Sequence, residues 1–186
     1  MSDASKPSDP CLTTSAGFAP ILGADARVLI LGSLPSQRSL AANEYYAHPQ
    51  NAFWPIMSSL LSLNGEYATR CARLREHRVA VWDVLRESVR PGSMDADIRV
   101  ETARANDFAA LVDACTDLQL IAFNGKSAEK LFRRLVLPEL AIGSIALASL
   151  PSTSPAYAAM SFAAKRELWY QQLANVIPLA RLEDGE

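Results

Sequence analysis

The stretch Val28-Leu29-Ile30-Leu31-Gly32-Ser33-Leu34-Pro35-Ser36 is a short apolar run that ends in a turn of small residues and proline. An apolar run bounded by turn residues predicts a buried strand. A strand that ends in this way places its next loop at the carboxyl edge of a sheet, where open α/β folds bind ligands. The sequence therefore predicts a ligand-binding loop directly after its first buried strand.

Similar apolar runs recur along the chain and alternate with helical patterns. The predicted strands are 27–32, 79–84, 118–123 and 142–150, and apolar residues at helical spacing predict helices at 53–63, 67–76, 106–116, 126–136 and 161–177. Such alternation is typical of a parallel sheet with helices on both faces. We predict an α/β fold, a three-layer αβα sandwich around a central, mainly parallel four-stranded sheet.

Size and composition predict one domain. The chain has 186 residues, 49% of them hydrophobic, which is enough for a single core. We predict a disordered leader at 1–17, rich in Ser, Pro and Asp, a domain at 18–180 and a tail at 181–186. The sequence contains no apolar run of ~20 residues that would span a membrane, and its start lacks the order of a secretory signal.

The cysteines and the net charge narrow the class of protein further. Three cysteines, without the spacing of a metal site, indicate reduced thiols in a cytoplasmic protein. We expect no metal and no cofactor. A net charge of −2 argues against non-specific coating of nucleic acid but allows a local phosphate-binding face. Arginines gather at 70–78 and at 86–104, and for each cluster a solvated helix face is the alternative.

Residues 45–54, Tyr-Tyr-Ala-His-Pro-Gln-Asn-Ala-Phe-Trp, carry the strongest motif. Aromatic rings beside an amide are what a pocket for a planar base requires. Asn51 has a structural alternative as a helix cap, worth ~1 kcal/mol. His48 has one as a turn residue packed on Pro49.

The other strand ends also carry polar side chains, each with a structural alternative. Asp83 follows a buried strand, where a carboxylate is costly unless it contacts a base edge or water or forms a salt bridge. Asn124-Gly125-Lys126 is either a turn or a phosphate-binding helix start. Residues 152–155, Ser-Thr-Ser-Pro, grip a phosphodiester or form a loop before a helix. Nucleotide phosphate-loop and serine-nucleophile motifs are absent from the sequence.

Taken in order, these four loops resemble those of the uracil-DNA glycosylase superfamily, over residues 27–176. The most specific part is Tyr46-Ala47-His48-Pro49, followed by Asn51 and Phe53-Trp54. Residues 82–85, Trp-Asp-Val-Leu, and the pattern Arg90-x-Gly92-Ser93-x-Asp95 favour the deoxyinosine, or hypoxanthine-DNA, glycosylase branch. The mismatch-specific uracil branch is the other close match.

The resemblance implies roles for individual residues. Asn51 falls on the asparagine thought to be catalytic in the deoxyinosine branch. Relatives often carry Asn or Asp before the first-loop proline to position water, and this chain has Leu34, so Asp83 and His48 are the expected helpers. The base-binding and DNA-binding expectations are Tyr46, Phe53, Ser33 and Asn124 for the base, and Ser152, Thr153, Ser154, Pro155, Ala156, Tyr157 and Lys126 for DNA. A wedge is expected among Pro155, Ala156 and Tyr157.

The expected function is a DNA-repair glycosylase that hydrolyses the N-glycosidic bond of a flipped, deaminated base in double- or single-stranded DNA. Hypoxanthine is the first candidate and uracil the second. Since Lys126 is the only lysine in the four loops, and is expected to face phosphate, we predict a monofunctional enzyme. Family precedent indicates a monomer, and no membrane contact is expected. The alternative is a non-catalytic nucleic-acid or nucleotide-binding module that keeps the pocket.

Overall fold

The computed structural model describes residues 14–180. In chain order its strands are β1 (Thr14–Ala16), β2 (Val28–Gly32), β3 (Val79–Asp83), β4 (Leu85–Val89), β5 (Arg104–Ala105), β6 (Leu120–Asn124) and β7 (Ala146–Leu150). Its helices are α1 (Gln37–Ala42), α2 (Phe53–Leu61), α3 (Tyr67–Glu76), α4 (Phe108–Ala114), α5 (Lys126–Leu135) and α6 (Phe162–Leu173). Short 3-10 turns span Asp95–Asp97 and Val100–Thr102.

The central sheet confirms the predicted α/β class. Four strands pair in the order β3-β2-β6-β7, and every pair is parallel. β2 and β3 are buried along their whole length because both sheet faces are covered. From β2 the chain moves outward to β3, and from β6 it moves outward to β7 on the other side. The carboxyl ends of β2 and β6 therefore flank a topological switch point, where such folds bind ligands.

Most predicted elements form, with shorter ends. β7 begins at Ala146, not at residue 142, because the chain turns first with Gly143 at φ 54°. The helices predicted at 106–116 and 161–177 are trimmed to α4 and α6. The six-residue helix α1, capped by the side chain of Ser36, was not predicted. Among residues 14–180, no helix is both long and apolar enough to cross a membrane.

A second, antiparallel sheet was missed by the sequence analysis. It pairs its strands in the order β1-β4-β5. The prediction of a disordered leader is wrong for residues 14–16, because they form β1 and bury Ser15 against β4. Residues 1–13 of the predicted leader and the predicted tail at 181–186 lie outside the described residues.

Candidate active site

Two polar groups meet in a buried space at the ends of β2 and β3. Asp83, the last residue of β3, is 3% exposed and lies opposite Gly32 in the sheet. A Cβ atom on Gly32 would collide with Oδ1 of Asp83 and would lie 3.2 Å from the Tyr46 hydroxyl. Glycine at position 32 is therefore what makes room for both groups. Within residues 14–180, neither the Tyr46 hydroxyl nor Oδ2 of Asp83 has a hydrogen-bond partner.

Burial sets the protonation of this pair. It raises the pKa of Asp83 to about 8, with the charge of Asp95 adding to the effect and Arg90 opposing it. Burial, and after it the charge of Asp83, also raises the pKa of the Tyr46 hydroxyl above its ordinary value. At neutral pH both groups therefore carry a proton that they can donate.

The Tyr46 ring is held by its backbone and by a neighbouring ring. Its φ of 57° lies in the left-handed region, which is uncommon for an aromatic residue. The ring stacks on Phe53 with centroids 4.0 Å apart and planes 25° apart. Phe53 is fully buried, so its ring supports Tyr46 from behind and does not form part of a cleft wall.

Asn51 lies two residues before α2 and has a fixed orientation. Its Oδ1 accepts a hydrogen bond of 2.9 Å from the backbone N–H of Phe53, which is the capping interaction weighed in the sequence analysis. Because a backbone N–H needs an acceptor, the amide NH₂ must point the other way. That NH₂ has no protein partner in the described part of the chain. The capping contact at Oδ1 therefore fixes the direction of the NH₂ donor, so capping and a catalytic role of Asn51 are compatible.

His48 shapes the turn that leads to Asn51. Its carbonyl oxygen accepts from the Asn51 N–H at 2.8 Å, and its Nδ1 accepts from the Gln50 N–H at 3.2 Å. Both contacts are local and tighten the turn. In this structure His48 positions Asn51 through the backbone, and its ring is absent from the walls of the cleft described next.

A cleft of about 310 Å³ opens beside Asn51, within the range of small-molecule pockets. The cleft brings together residues that are far apart in the sequence. Its walls are Pro49, Gln50, Asn51, Ala52, Pro55, Thr153, Ser154, Pro155, Tyr157, Ala158, Met160, Phe162 and Lys165. Four of the predicted DNA-binding residues therefore meet the predicted catalytic amide at one cleft.

Thr153, in the wall of this cleft, is hydrogen-bonded to the end of β6 and to the residue before α2. The Asn124 amide donates from Nδ2 to Oγ1 of Thr153 and accepts at Oδ1 from the Thr153 N–H, both at 2.8 Å. The carbonyl oxygen of Thr153 accepts from the Ala52 N–H at 2.9 Å. Both ends of the Asn124 amide are thus engaged in holding the loop after β7 against α2. Gly125 permits the approach, since a Cβ there would lie 2.9 Å from Cβ of Ser152.

The first loop is braced from the second sheet, a feature that the sequence analysis missed. Arg90, 2% exposed, donates from Nη1 to the Leu34 carbonyl oxygen at 3.1 Å and from Nη2 to that of Pro35. The Ser33 hydroxyl donates to Oδ1 of Asp95. Leu34 itself is buried in the core. The pattern Arg90-x-Gly92-Ser93-x-Asp95 was noted in the sequence, but nothing local in it indicated this long-range contact.

Lys165 on α6 is a second residue that the sequence analysis missed. It is 6% exposed, lines the cleft and donates from Nζ to the Tyr157 carbonyl oxygen at 2.7 Å. Burial lowers the pKa of its ammonium group. By contrast, Lys126 is exposed at the start of α5, and Ser152 and Ala156 stand outside the cleft walls.

Comparison with known proteins identifies the family of this chain. The family model for the Uracil DNA glycosylase superfamily matches residues 20–176. Proteins named hypoxanthine DNA glycosylase from Methanosarcina barkeri and Methanosarcina acetivorans are each 36% identical over 117 and 115 residues, which is 60% of this chain and 72% of each relative. A solution NMR structure from Methanosarcina acetivorans, provisionally assigned as a uracil DNA glycosylase, aligns with TM-score 0.67 and 31% identity over 84% of this chain and 99% of that one. The chain therefore belongs to the uracil-DNA glycosylase superfamily and is a DNA N-glycosylase, a hydrolase of N-glycosyl bonds.

Proposed function

We propose that this enzyme removes hypoxanthine, the deaminated form of adenine, from DNA after the nucleotide has left the duplex. The observation that carries the proposal is the Asn51 amide, whose NH₂ is aimed away from its capping contact on the wall of a nucleotide-sized cleft. The two relatives named hypoxanthine DNA glycosylase support the choice of base.

A fixed NH₂ donor distinguishes deaminated bases from their parents. Hypoxanthine presents a carbonyl oxygen where adenine presents an amino group, so a donor pairs with the first and opposes the second. A buried donor left facing another donor loses its hydrogen bond, and discrimination of ~10⁴ is plausible for such a mismatch. Uracil also presents carbonyl oxygens, so the amide alone accepts both bases, and uracil is the expected second substrate.

Asp83 and Tyr46 suit the departing base. Cleavage of an N-glycosidic bond leaves an oxocarbenium-like sugar and a base that gains negative charge. The Asp83 carboxyl, neutral because burial raises its pKa to about 8, and the Tyr46 hydroxyl are two unpartnered donors in one low-dielectric space. Preorganised donors of this kind stabilise developing charge without reorganisation. The proposal requires the base to extend from the cleft beside Asn51 to this buried pair.

Asn51 does not deprotonate the attacking water, because its Oδ1 already accepts from the Phe53 N–H. An amide NH₂ offers only donors, and Leu34 in the first loop offers no polar side chain. The proposed mechanism therefore depends on stabilising the leaving base more than on activating the nucleophile.

We also expect a monofunctional, monomeric and cytoplasmic enzyme. Lys165 is the one lysine among the cleft walls, and its ammonium group is already engaged with the Tyr157 carbonyl. Trapping with borohydride during turnover tests this, since a covalent protein–DNA adduct would show a lyase step.

Single-turnover excision on a panel of oligonucleotides tests the proposed function. Duplexes and single strands carrying deoxyinosine, deoxyuridine, thymine opposite guanine, or adenine are incubated with excess enzyme and cleaved with alkali. We expect the highest rate on deoxyinosine, a lower rate on deoxyuridine and none on adenine. Excision of adenine, or excision of uracil without hypoxanthine, would contradict the assignment of the base.

A further inference from the structure

The backbone of Tyr46 lies in a conformation that its own side chain disfavours. Its φ of 57° is in the left-handed region, where the Cβ atom of an L residue crowds the following carbonyl oxygen. A residue keeps such a conformation only when its surroundings impose it. Residues 43–52, between α1 and α2, form no helix or strand, so backbone ladders do not supply this restraint. We therefore looked for side chains that hold the backbone around Tyr46.

Side chains hold the peptide groups on both sides of Tyr46. Before it, the Tyr45 carbonyl oxygen accepts a hydrogen bond of 2.8 Å from Nε1 of Trp54 on α2. After it, the Ala47 N–H donates to Oγ of Ser39 on α1 at 3.3 Å. The two peptide planes that set φ and ψ of Tyr46 are thus each attached to a helix.

Helix α3 adds a third attachment. The hydroxyl of Tyr67, the first residue of α3, accepts a hydrogen bond of 3.0 Å from the Tyr45 N–H. Because Trp54 binds the carbonyl oxygen of the same residue, both backbone groups of Tyr45 are engaged by aromatic side chains. Irregular backbone needs such partners, and here they come from two different helices.

Tyr67 also fixes Trp54. Their rings meet edge-on, with centroids 5.6 Å apart and planes 82° apart, and the guanidinium group of Arg70 lies 4.6 Å from the centroid of the Trp54 ring. Trp54 is buried, so these contacts leave its ring little room to move. Phenylalanine at position 67 would make the ring contact equally well. The hydroxyl is therefore the part of Tyr67 that ring packing does not explain.

The Tyr46 hydroxyl depends on this support. It lies in the buried space next to Asp83, yet within residues 14–180 it has no hydrogen-bond partner of its own. Its ring stacks on Phe53, whose ring in turn meets Trp54 edge-on at 5.1 Å. The hydroxyl is therefore held in place through the Tyr46 backbone and ring.

We propose that Tyr67 and Trp54 are positioning residues that hold Tyr46 in its left-handed conformation and so keep its hydroxyl beside Asp83. The inference rests on the proposed function, because it assumes that this hydroxyl serves the departing base. A donor stabilises developing charge best when it is oriented before the reaction. Tyr67 lies on α3, outside the four loops, so nothing in its own stretch of sequence indicates this role.

A double-mutant cycle tests the proposal through the single-turnover excision rate of deoxyinosine. Tyr67→Phe removes the hydroxyl that binds Tyr45 and keeps the ring. We expect the rate to fall about fivefold, which corresponds to the loss of one ordinary hydrogen bond. In a Tyr46→Phe background, which lacks the hydroxyl to be positioned, Tyr67→Phe should change the rate by less than about twofold. General loosening of the fold would instead lower the rate by the same factor in both backgrounds.

Trp54→Phe is the second variant, since it removes the donor to the Tyr45 carbonyl oxygen. We expect a loss of about fivefold or more, again confined to the background that retains the Tyr46 hydroxyl. Tyr170→Phe, the same substitution at a half-buried residue of α6, is the matched control and should keep the wild-type rate. Chemical denaturation of each variant establishes that it is folded at the assay temperature.

A spectroscopic readout separates this inference from the proposed function. With 3-fluorotyrosine in place of Tyr46, the fluorine resonance reports the surroundings of this ring without DNA or excision. We expect the resonance to shift or split in Tyr67→Phe and to stay unchanged in Tyr170→Phe. If Tyr46→Phe excises at the wild-type rate, the role of this hydroxyl in the proposed function is wrong, and the resonance still decides whether Tyr67 positions Tyr46. An unchanged resonance in Tyr67→Phe, or equal rate losses in both backgrounds, would overturn the inference.

Discussion

At the scale of single residues, Asn51 combines two roles that a sequence presents as alternatives. Its Oδ1 caps α2 through Phe53, and the cap in turn aims its NH₂. A helix cap and a specific donor therefore need not compete, because the first fixes the direction of the second.

Asn51→Asp separates the two roles. Aspartate caps helices about as well as asparagine, so the free energy of unfolding should change by less than ~1 kcal/mol. The substitution replaces the NH₂ donor by a negatively charged acceptor, so excision of hypoxanthine should fall by ~100-fold or more, as when one transition-state donor is lost. Chemical denaturation and single-turnover rates measure both. A folded variant with wild-type rates would remove this amide from the mechanism.

Asp83 makes a prediction about pH. Its pKa of about 8 means that the carboxyl donates a proton below pH 8 and loses this donor above it. The single-turnover rate should therefore fall as the pH rises through about 8. Asp83→Asn keeps an N–H donor but does not titrate, so the excision rate of this variant should not fall at alkaline pH (the alkaline limb of the pH–rate profile). If wild type and Asp83→Asn show the same limb, another group is responsible.

The same pKa shift has a consequence for stability. Folding raises the pKa of Asp83 from 3.8 to about 8, so the folded state binds more protons than the unfolded state between these values. The free energy of unfolding should consequently decrease as the pH rises from about 4 to about 8. Asp83→Asn should remove that slope, which denaturation at several pH values measures independently of activity.

At the scale of elements, a strand or helix can be predicted when its pattern lies within its own residues, and is missed when it depends on a partner far away in the chain. The strands of the central sheet are apolar runs. Because these strands are parallel, their carboxyl ends lie at the same edge of the sheet. β4 was not predicted because its arginine and glutamate are typical of a solvent-exposed segment, and because its partner β1 lies about 70 residues earlier in the chain. The roles of Lys165 and Arg90 were not predicted either, because each residue donates to a backbone carbonyl in another part of the chain.

Arg90 connects the second sheet to the first loop, and two variants distinguish its charge from its shape. Arg90→Met leaves the Leu34 and Pro35 carbonyls without their donor, so the free energy of unfolding should fall by ~3 kcal/mol. Because Arg90 lowers the pKa of Asp83, its loss should also move the alkaline limb to higher pH.

Arg90→Lys is the comparison. Lysine keeps the positive charge but cannot donate to both carbonyls as the guanidinium group does. The fall in rate at alkaline pH should therefore stay near pH 8, while the excision rate itself decreases because the first loop is held less firmly. Identical pH profiles in both variants would contradict an electrostatic link between Arg90 and Asp83.

At the scale of the whole molecule, support for the site begins at the first described strand. β1 pairs with β4, β4 leads directly to Arg90, and Arg90 holds the loop that follows β2. Ser15 adds a further contact, since its hydroxyl accepts from Nε2 of Gln37 on α1 at 3.3 Å. A three-residue strand far from the chemistry is therefore mechanically connected to it.

Shortening the chain tests this connection. A variant that starts at residue 18 removes the β1–β4 ladder and the 2.7 Å bond from the Gly17 N–H to the Arg86 carbonyl oxygen, and a variant that starts at residue 14 retains both. We expect the shorter variant to be less stable by ~1–3 kcal/mol, because backbone groups of β4 lose their partners. Its excision rate should also fall at temperatures where it is still folded, since Arg90 then holds the first loop less firmly. If the two variants have equal rates despite different stabilities, β1 contributes to the fold alone and the route from β1 through Arg90 to the site is wrong.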